Sequence, residues 1–247
     1  MKRSFSRILK DVIIKSDIII HVLDARMIQN TINADIVRFA TDHDKRIIYC
    51  VNKADLLSDT DIVVPTPYVF VSTKTRKGMR VLREMIYKVA AKNKSETILI
   101  GVVGYPNTGK SSIINTLKGR ASAPVSSKSG HTRGEQVIRV SARVRMLDTP
   151  GVIPIAANDS LLLAILASKN PQEIKDVDLV AIKILGIVLD TRGKQFLKDR
   201  YGVDITEASE ESIEKIALAK NRLLKGGVPD IKTTCGIIIQ DWQKGLL

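Results

Sequence analysis

Cysteine is scarce in this sequence, and it has no long apolar run. The 247 residues include two cysteines, Cys50 and Cys235, which lie far apart in the chain. Their positions do not match the spacing of a metal site, so we expect two buried free thiols. Charged residues interrupt the apolar stretch 7–20, so the sequence predicts neither a signal peptide nor a transmembrane helix. These absences favour a cytoplasmic protein.

Acidic residues are scarce in one part of the chain only. The chain has 39 lysines and arginines against 26 aspartates and glutamates, a net charge of +13. Residues 156–247 contain 13 of each sign, so the excess (26 basic against 13 acidic residues) lies in residues 1–155. It is concentrated in 74–94 and 118–145. One such stretch is typical of a solvated surface, but two favour a polyanionic partner. Because only 4% of residues are aromatic, we expect contacts to phosphates and to the shape of RNA rather than to stacked bases.

The stretch GYPNTGKSS (104–112) has the spacing of a phosphate-binding loop. It follows an apolar run that predicts a buried strand (97–103), and it precedes a predicted helix (111–119), which is the context that this loop requires. Its glycines let backbone N–H groups surround phosphates, while Lys110 would reach the β- and γ-phosphates and Ser111 would ligate Mg²⁺. An ordinary strand-turn-helix is the alternative. The loop residues predicted to bind nucleotide are Asn107, Thr108, Gly109, Lys110, Ser111 and Ser112.

A second polar cluster follows another predicted strand, in YCVNKADLL (49–57). It contains Asn52, Lys53 and Asp55. The guanine edge presents two donors, N1–H and the exocyclic amine, and the Asp55 carboxylate would accept from both, whereas adenine offers no such pair. The loop would therefore select guanine over adenine, although a solvated turn is the alternative. A third loop, VFVSTKTRKG (69–78), would support the base through Ser72, Thr73 and Lys74.

A third motif, RMLDTPGV (145–152), makes the solvated turn improbable. Asp148 is suited to the outer shell of Mg²⁺, and the backbone N–H of Gly151 is suited to the γ-phosphate. Three such motifs at strand ends together predict a site for a nucleoside triphosphate.

These motifs resemble the signature set of Ras-like GTPases, but their order differs. In a Ras-like GTPase the phosphate loop comes first, whereas here the two base-reading loops precede it. Moved into the usual order, the predicted strands fill a six-stranded, mostly parallel Ras-like sheet, so we expect a circularly permuted α/β GTPase domain. The predicted strands are 17–23, 47–51, 68–71, 97–103, 135–141 and 143–147.

The motif order resembles that of the circularly permuted GTPases of ribosome assembly, in particular the YlqF/RbgA-like group. The stretches 16–26, 104–117 and 221–245 carry this resemblance. It implies a GTPase domain (1–155) followed by a helical domain (156–247). It also implies GTP/GDP and Mg²⁺ as ligands and a role in maturing the large ribosomal subunit by nucleotide-dependent binding to its rRNA or precursor, with neither membrane nor DNA as partner.

The hydrolytic residues depart from the usual pattern. The family's Pro-Gly-x-Thr switch appears here with Gly130, His131 and Thr132, and the resemblance implies that Thr132 is a switch residue and an Mg²⁺ ligand. Val152 stands where Ras-like enzymes place a water-orienting glutamine, so we expect slow hydrolysis by the protein alone. Asn107 matches the asparagine with which potassium-activated GTPases hold K⁺, and His131 is a candidate for orienting water. The alternatives without a catalytic role are that Asn107 stabilises the turn of its loop and that His131 is an exposed loop residue. We expect stimulation by K⁺ and by ribosomal particles.

The C-terminal part is predicted to be helical and carries no catalytic motif, so it is either a binding module or a structural cap. The alternatives for the whole chain are a GTPase acting on another RNA or on membranes and a small-substrate phosphotransferase with the same loop. The predicted helices are 159–168, 178–190, 193–201, 209–225 (with Ser209 as N-cap and Gly226-Gly227 as stop) and 229–247.

Overall fold

The chain divides into two compact units. The first, which we call the sheet unit, comprises Met1–Asp55 and Asp61–Asn158, and the second, the helical unit, comprises Leu56–Thr60 and Asp159–Leu247. The computed structural model describes residues 2–57, 63–93, 95–118, 136–149, 164–166, 174 and 176–247.

The sheet unit contains a six-stranded sheet in the described residues, with strand order β3-β2-β1-β4-β6-β5. All neighbouring strands are parallel except β5 and β6, which are antiparallel. All six predicted strands are present, with ends that differ from the prediction by at most two residues. The strands are β1 (Ile18–Asp24), β2 (Arg46–Asn52), β3 (Tyr68–Phe70), β4 (Ile98–Val103), β5 (Gln136–Arg139) and β6 (Val144–Asp148).

Helices cover both faces of the sheet. Every residue of β1 is buried, as expected for a central parallel strand between two helical layers. Because successive side chains point to opposite faces, Ile20 packs against α4 and α5, while Ile19 packs against α1 and α3. The helices of this unit are α1 (Lys2–Lys15), the short α2 (Ile28–Thr31), α3 (Ala34–Asp42), α4 (Met79–Ala91) and α5 (Lys110–Lys118).

The strand order confirms the predicted circular permutation. The loop between β4 and α5 has the phosphate-loop sequence, yet β1, β2 and β3 precede it in the chain. β4 nevertheless lies beside β1 in the middle of the sheet, with Ile100 aligned to Ile18. The fold is therefore a Ras-like sheet whose chain begins at a different strand.

The helical unit contains three long helices in its described part: α6 (Val177–Tyr201), α7 (Glu210–Ala219) and α8 (Ile231–Gln243). Gly193 has φ 78° and ψ 169° inside α6 and breaks it where the sequence predicts two helices. The Ser209 hydroxyl accepts a hydrogen bond from the backbone N–H of Ser212, which confirms it as the N-cap. The predicted helix 159–168 lies mostly outside the described residues.

The prediction of helix through residue 225 was wrong. α7 ends at Ala219, and Asn221 adopts the left-handed region with φ 51°. The chain then forms a hairpin in which Leu223 pairs with Pro229. The two glycines predicted as a helix stop form the hairpin turn instead, because both have positive φ.

Both cysteines are buried free thiols, as predicted. Burial raises the pKa of the Cys50 thiol in β2, and it raises the pKa of Cys235 in α8 to about 11. Within the described residues, no group of three or more histidine, cysteine or acidic side chains could hold a metal ion. No helix in the same residues is long and apolar enough to cross a membrane.

Candidate nucleotide-binding site

The predicted site residues meet at one edge of the sheet. Parallel strands place their carboxyl ends together, so the loops that follow β1, β2, β3 and β4 open on the same edge. Asp24 at the end of β1 is aligned with Asn52 at the end of β2, and Val102 of β4 is aligned with Asp148 of β6. The parallel register therefore assembles the site from segments that are distant in the chain.

Two glycines of the phosphate loop lie where a β-carbon would collide with a neighbouring residue. Gly104 has φ 147°, and a β-carbon there would collide with the carbonyl oxygen of Val22 in β1. Gly109 has φ 96°, and a β-carbon there would collide with the Asn52 amide. Asn107 also has positive φ, 58°, which asparagine tolerates better than most residues. The loop thus folds back against the ends of β1 and β2.

Lys110 is the first residue of α5, and its side chain is buried within the phosphate loop. Its Nζ donates to the carbonyl oxygen of Tyr105 at 2.8 Å. Burial lowers the pKa of Lys110 to about 8, against the opposing effect of the Asp148 carboxylate. The N-terminus of α5 and this cation both favour an anion at the same place.

Ser111 and Asp148 form an oxygen pair beside Lys110. The Ser111 hydroxyl donates to Oδ2 of Asp148 at 2.8 Å. The other carboxylate oxygen, Oδ1, is buried and has no hydrogen-bond partner among the described residues. Burial raises the pKa of Asp148, while the hydrogen bond from Ser111 and the Lys110 charge oppose that rise. A hydroxyl beside an unsatisfied carboxylate oxygen fits the hard oxygen ligands of Mg²⁺.

The Asn52 side chain ties three loops together. Its Nδ2 donates to the carbonyl oxygen of Thr108 at 2.9 Å, and its Oδ1 accepts from the backbone N–H of Thr73 at 3.3 Å. Asn52 is 1% exposed, so both bonds are shielded from water. The sequence predicted contact with nucleotide for this residue, and the structure adds that it joins the base-reading loops to the phosphate loop.

The remaining base-reading residues line the same region. Asp55 is half-buried in a 3₁₀ turn, Ala54–Leu56. The Ser72 hydroxyl is buried and accepts from the backbone N–H of Thr75 at 3.0 Å, whereas Lys74 is exposed. The structure therefore gives Ser72 a role in shaping its own loop.

Asp24 is a charged residue at this edge to which the sequence assigned no role. Its carboxylate accepts from Lys53 Nζ at 2.7 Å and from Arg26 Nη2 at 2.9 Å. Burial alone would raise the pKa of Asp24, but the neighbouring Arg26 and Lys53 outweigh it and hold the pKa well below its ordinary value. Burial lowers the pKa of Lys53, against the opposing charge of Asp24. The signal was an aspartate that ends a mostly apolar strand two residues before an arginine.

The model of the "50S ribosome-binding GTPase" family matches residues 99–222. That match covers half of the chain and includes the phosphate loop and Asp148. The chain belongs to this GTPase family.

The GTPase is similar in sequence to two GTP-binding proteins over nearly its whole length. It is 35% identical over 246 residues to an uncharacterized GTP-binding protein of Methanocaldococcus jannaschii, covering 98% of this chain and 65% of that protein. It is 31% identical to nucleolar GTP-binding protein 2 of Kluyveromyces lactis, covering 99% of this chain and 49% of that protein. The chain thus spans about half to two thirds of the length of these relatives.

The solved structures of YlqF share the fold. GNP-bound YlqF from T. maritima superposes with a TM-score of 0.60 at 23% identity, over 97% of this chain and 93% of that chain. GDP-bound YlqF gives a TM-score of 0.61 at 22% identity, over 96% and 94% of the two chains. The fold predicted from the order of the motifs is confirmed.

Some of the predicted site residues of this GTPase lie outside the described residues. They are His131, Thr132, Gly151 and the hydrolysis-related Val152. Ser112 is half-buried in α5, where its carbonyl oxygen accepts from the Thr116 hydroxyl at 2.7 Å. The structure therefore brings together the residues predicted to bind the base, the phosphates and Mg²⁺ up to Asp148, and their roles, like those of the switch residues, stay predictions.

Proposed function

We propose that this chain binds GTP with Mg²⁺, hydrolyses it to GDP and phosphate, and uses this cycle to bind and leave a precursor of the large ribosomal subunit. One observation carries the nucleotide assignment: the 2.9 Å bond from Asn52 Nδ2 to Thr108 O, which fixes the base-reading loop against the phosphate loop. The family assignment and the names of the relatives support the ribosomal role and disfavour a small-substrate phosphotransferase.

The phosphate end of the site binds by charge and by backbone donors. Lys110 already sits within the loop, so its ammonium would exchange the Tyr105 carbonyl for phosphate oxygens. Ser111, Thr132 and the Asp148 shell would hold Mg²⁺, which supplies neutralisation of charge on the phosphates when it is bound.

The base end selects guanine by hydrogen-bond complementarity. Asp55 would accept from N1–H and from the exocyclic amine, while Asn52 and the loop of Ser72, Thr73 and Lys74 support the base. An unsatisfied carboxylate in the closed site would penalise adenine.

Hydrolysis is proposed to be slow without partners. Val152 cannot orient a water molecule, so Gly151 and Thr132 would sense the γ-phosphate without activating the nucleophile. K⁺ held by Asn107 would add positive charge in the transition state, and His131 would orient the water. Turnover measured in K⁺ and in Na⁺, with and without large-subunit particles, separates these contributions.

The contact with RNA is proposed to use the basic surface of α4 and its preceding loop. In α4, Leu82 and Ile86 face the core, so the charged residues lie on the opposite side. Exposed basic residues on this surface are Lys74, Arg76, Lys77, Arg80, Lys88 and Lys92. Three of them precede α4, and the other three follow one another along the helix to its C-cap, which favours contacts to successive phosphates. Residues 1–155 would then form the nucleotide-dependent switch, and 156–247 would be a second binding module. The cytoplasmic location stays a prediction.

Replacing Asp55 with asparagine tests guanine recognition. The amide reverses one donor-acceptor match, so Asp55→Asn is expected to lose GTP affinity and to gain affinity for xanthosine triphosphate, measured by titration with fluorescent nucleotides. Asp44→Asn, the same substitution in an exposed turn, is the matched control and leaves both affinities unchanged. Equal GTP affinity in Asp55→Asn and the unmodified chain would contradict the assignment.

Cosedimentation tests the ribosomal role. The chain with a non-hydrolysable GTP analogue is expected to sediment with large-subunit precursors, and the chain with GDP is expected to stay in the supernatant. Equal sedimentation in both states would show that nucleotide does not control the contact.

A further inference from the structure

We propose that Asp24 is a positioning residue for guanine recognition: its buried carboxylate holds the Lys53 ammonium and thereby fixes the base-reading loop 52–55 for Asp55 to act on the base. This inference rests on the proposed function, since it concerns the same site. It adds a residue from β1, a strand that carries none of the predicted nucleotide contacts.

Hydrogen bonds from residues other than Lys53 already orient the Asp24 carboxylate. Asp24 is 2% exposed, and its backbone N–H donates to the Thr31 hydroxyl at 3.2 Å. Its Oδ1 accepts from the backbone N–H of Arg26 at 3.1 Å and from Arg26 Nε at 3.0 Å. Four donors, counting Lys53 Nζ and Arg26 Nη2, therefore hold the two oxygens in one orientation. A carboxylate held this way is a rigid anchor rather than a mobile surface charge.

Lys53 needs an anchor because its backbone is in an unfavourable region. Its φ is 64°, which a side chain with a β-carbon rarely adopts. Such a conformation persists when surrounding contacts over-determine it. Asp24 binds the Lys53 ammonium. The preceding residue, Asn52, is hydrogen-bonded to Thr108 and Thr73. The turn that carries Asp55 starts directly after these two fixed residues.

Loss of the carboxylate would release this turn. Arg26 and Lys53 would face each other without the intervening negative charge, and Lys53 would move toward solvent. The left-handed backbone would then lose one of its two anchors. Because the paired hydrogen bonds from guanine to Asp55 require close alignment, a small displacement weakens them. The effect falls on base recognition and leaves the phosphate loop in place.

The test compares the affinities for GDP and for inosine diphosphate, which lacks the exocyclic amine. A hydrogen bond to a charged acceptor corresponds to roughly a tenfold to hundredfold preference for GDP in the unmodified chain. We expect Asp24→Asn to lower this preference at least about threefold, because a displaced Asp55 loses its distinction between the two bases. A general loss of stability would weaken both nucleotides equally, so the ratio reports on positioning.

Asp17→Asn is the matched control, since it makes the same substitution immediately before the other end of β1. The Asp17 carboxylate accepts from the backbone N–H of Leu99 at 2.8 Å and from Asn93 Nδ2 at 3.2 Å. It has a comparable structural role and lies at the opposite edge of the sheet, so its ratio is expected to equal that of the unmodified chain.

The partner of Asp24 is tested by combining substitutions. The double variant Asp24→Asn with Lys53→Met is expected to show the ratio of Lys53→Met alone, because the anchor acts through that lysine. Additive effects of the two substitutions would overturn the proposal. If Asp24→Asn does not fold, Asp24→Glu decides, since it keeps the charge and displaces it by one methylene; a lowered ratio supports the proposal.

An unchanged ratio in a folded Asp24 variant overturns the inference. A ratio near one in the unmodified chain overturns the assignment of Asp55 instead, so the two failures are distinguishable.

Discussion

Each unit of the chain contains a buried aspartate paired with an arginine, and the two pairs differ in what surrounds them. Asp24 ends β1 in the sheet unit and binds Arg26 and Lys53. Asp241 lies in α8 of the helical unit, where it accepts from Arg200 Nη2 at 2.7 Å and from the Tyr201 hydroxyl at 3.3 Å. The first pair joins the end of β1 to Lys53 in the predicted base-reading loop, and the second joins α8 to α6. The same chemistry therefore occurs beside a predicted ligand site at the end of a parallel strand and in helix packing in the other unit.

The largest effect is expected in the predicted phosphate loop of the sheet unit. Lys110→Ala removes the buried ammonium from the phosphate loop and is expected to weaken GDP binding by at least about 100-fold, because charge-assisted bonds to phosphate are lost. Lys220→Ala is the matched control in the helical unit, where Lys220 Nζ donates to the Arg200 carbonyl at 3.2 Å. Equilibrium titration with a fluorescent GDP derivative measures both. A large loss in Lys220→Ala would break the contrast between the units.

Replacing Asp241 tests whether the pair in the helical unit contributes to stability without affecting nucleotide binding. Asp241→Asn weakens the bonds to Arg200 and Tyr201, and we expect the free energy of unfolding to fall by about 1–3 kcal/mol, allowing for the partly exposed arginine. GDP affinity is expected to be unchanged. Denaturant titration followed by the fluorescence of the buried Trp242 measures the stability, and Tyr201→Phe is expected to cost about 1 kcal/mol. Altered GDP affinity in Asp241→Asn would assign this pair a role in the nucleotide site.

The smallest expected effect is the dependence of stability on mild acid. Burial in β1 lowers the pKa of His21 to about 3, whereas an unfolded histidine titrates near 6.5. As the pH falls below about 6.5, the unfolded chain binds a proton that the folded chain does not. Between pH 6.5 and pH 5.5, the window tested below, stability is therefore lost by about 1 kcal/mol.

His21→Gln is expected to remove this loss between about pH 6.5 and pH 5.5. His43→Gln is the control, because His43 is exposed. Residues 156–247 contain no histidine. A loss of stability caused by histidine protonation would therefore distinguish the sheet unit from the helical unit. Urea titration at the two pH values measures it, and the same slope in His21→Gln would show that another group is responsible.

Local patterns predicted the strands and the phosphate loop, because a glycine-rich turn between an apolar strand and a helix is encoded within a few residues. The contact of Asn52 with Thr108 could not be predicted in this way, since the two residues are 56 positions apart and their approach depends on strand order. The anchor at Asp24 likewise depends on the register of β1 against β2.

The hairpin after α7 was missed for a different reason. Leu223 and Leu224 continue the apolar spacing of a helix, and the left-handed Asn221 that stops it is not distinguished by that spacing. Periodicity reports which faces are apolar, while the end of a helix is decided by one backbone conformation.

The position of β4 beside β1 also sets an order of events while the chain is being synthesised. β1, β2 and β3 are synthesised before β4, and in the folded chain β2 pairs with both β1 and β3. The other edge of β1 has to wait for its partner: Leu99 bonds to Asp17 across 82 residues. Until then a row of apolar strand backbone is open to pairing with other chains. GTP is not expected to protect this stage by binding, because the predicted phosphate loop is made later. Assistance to the nascent chain would have to come from elsewhere.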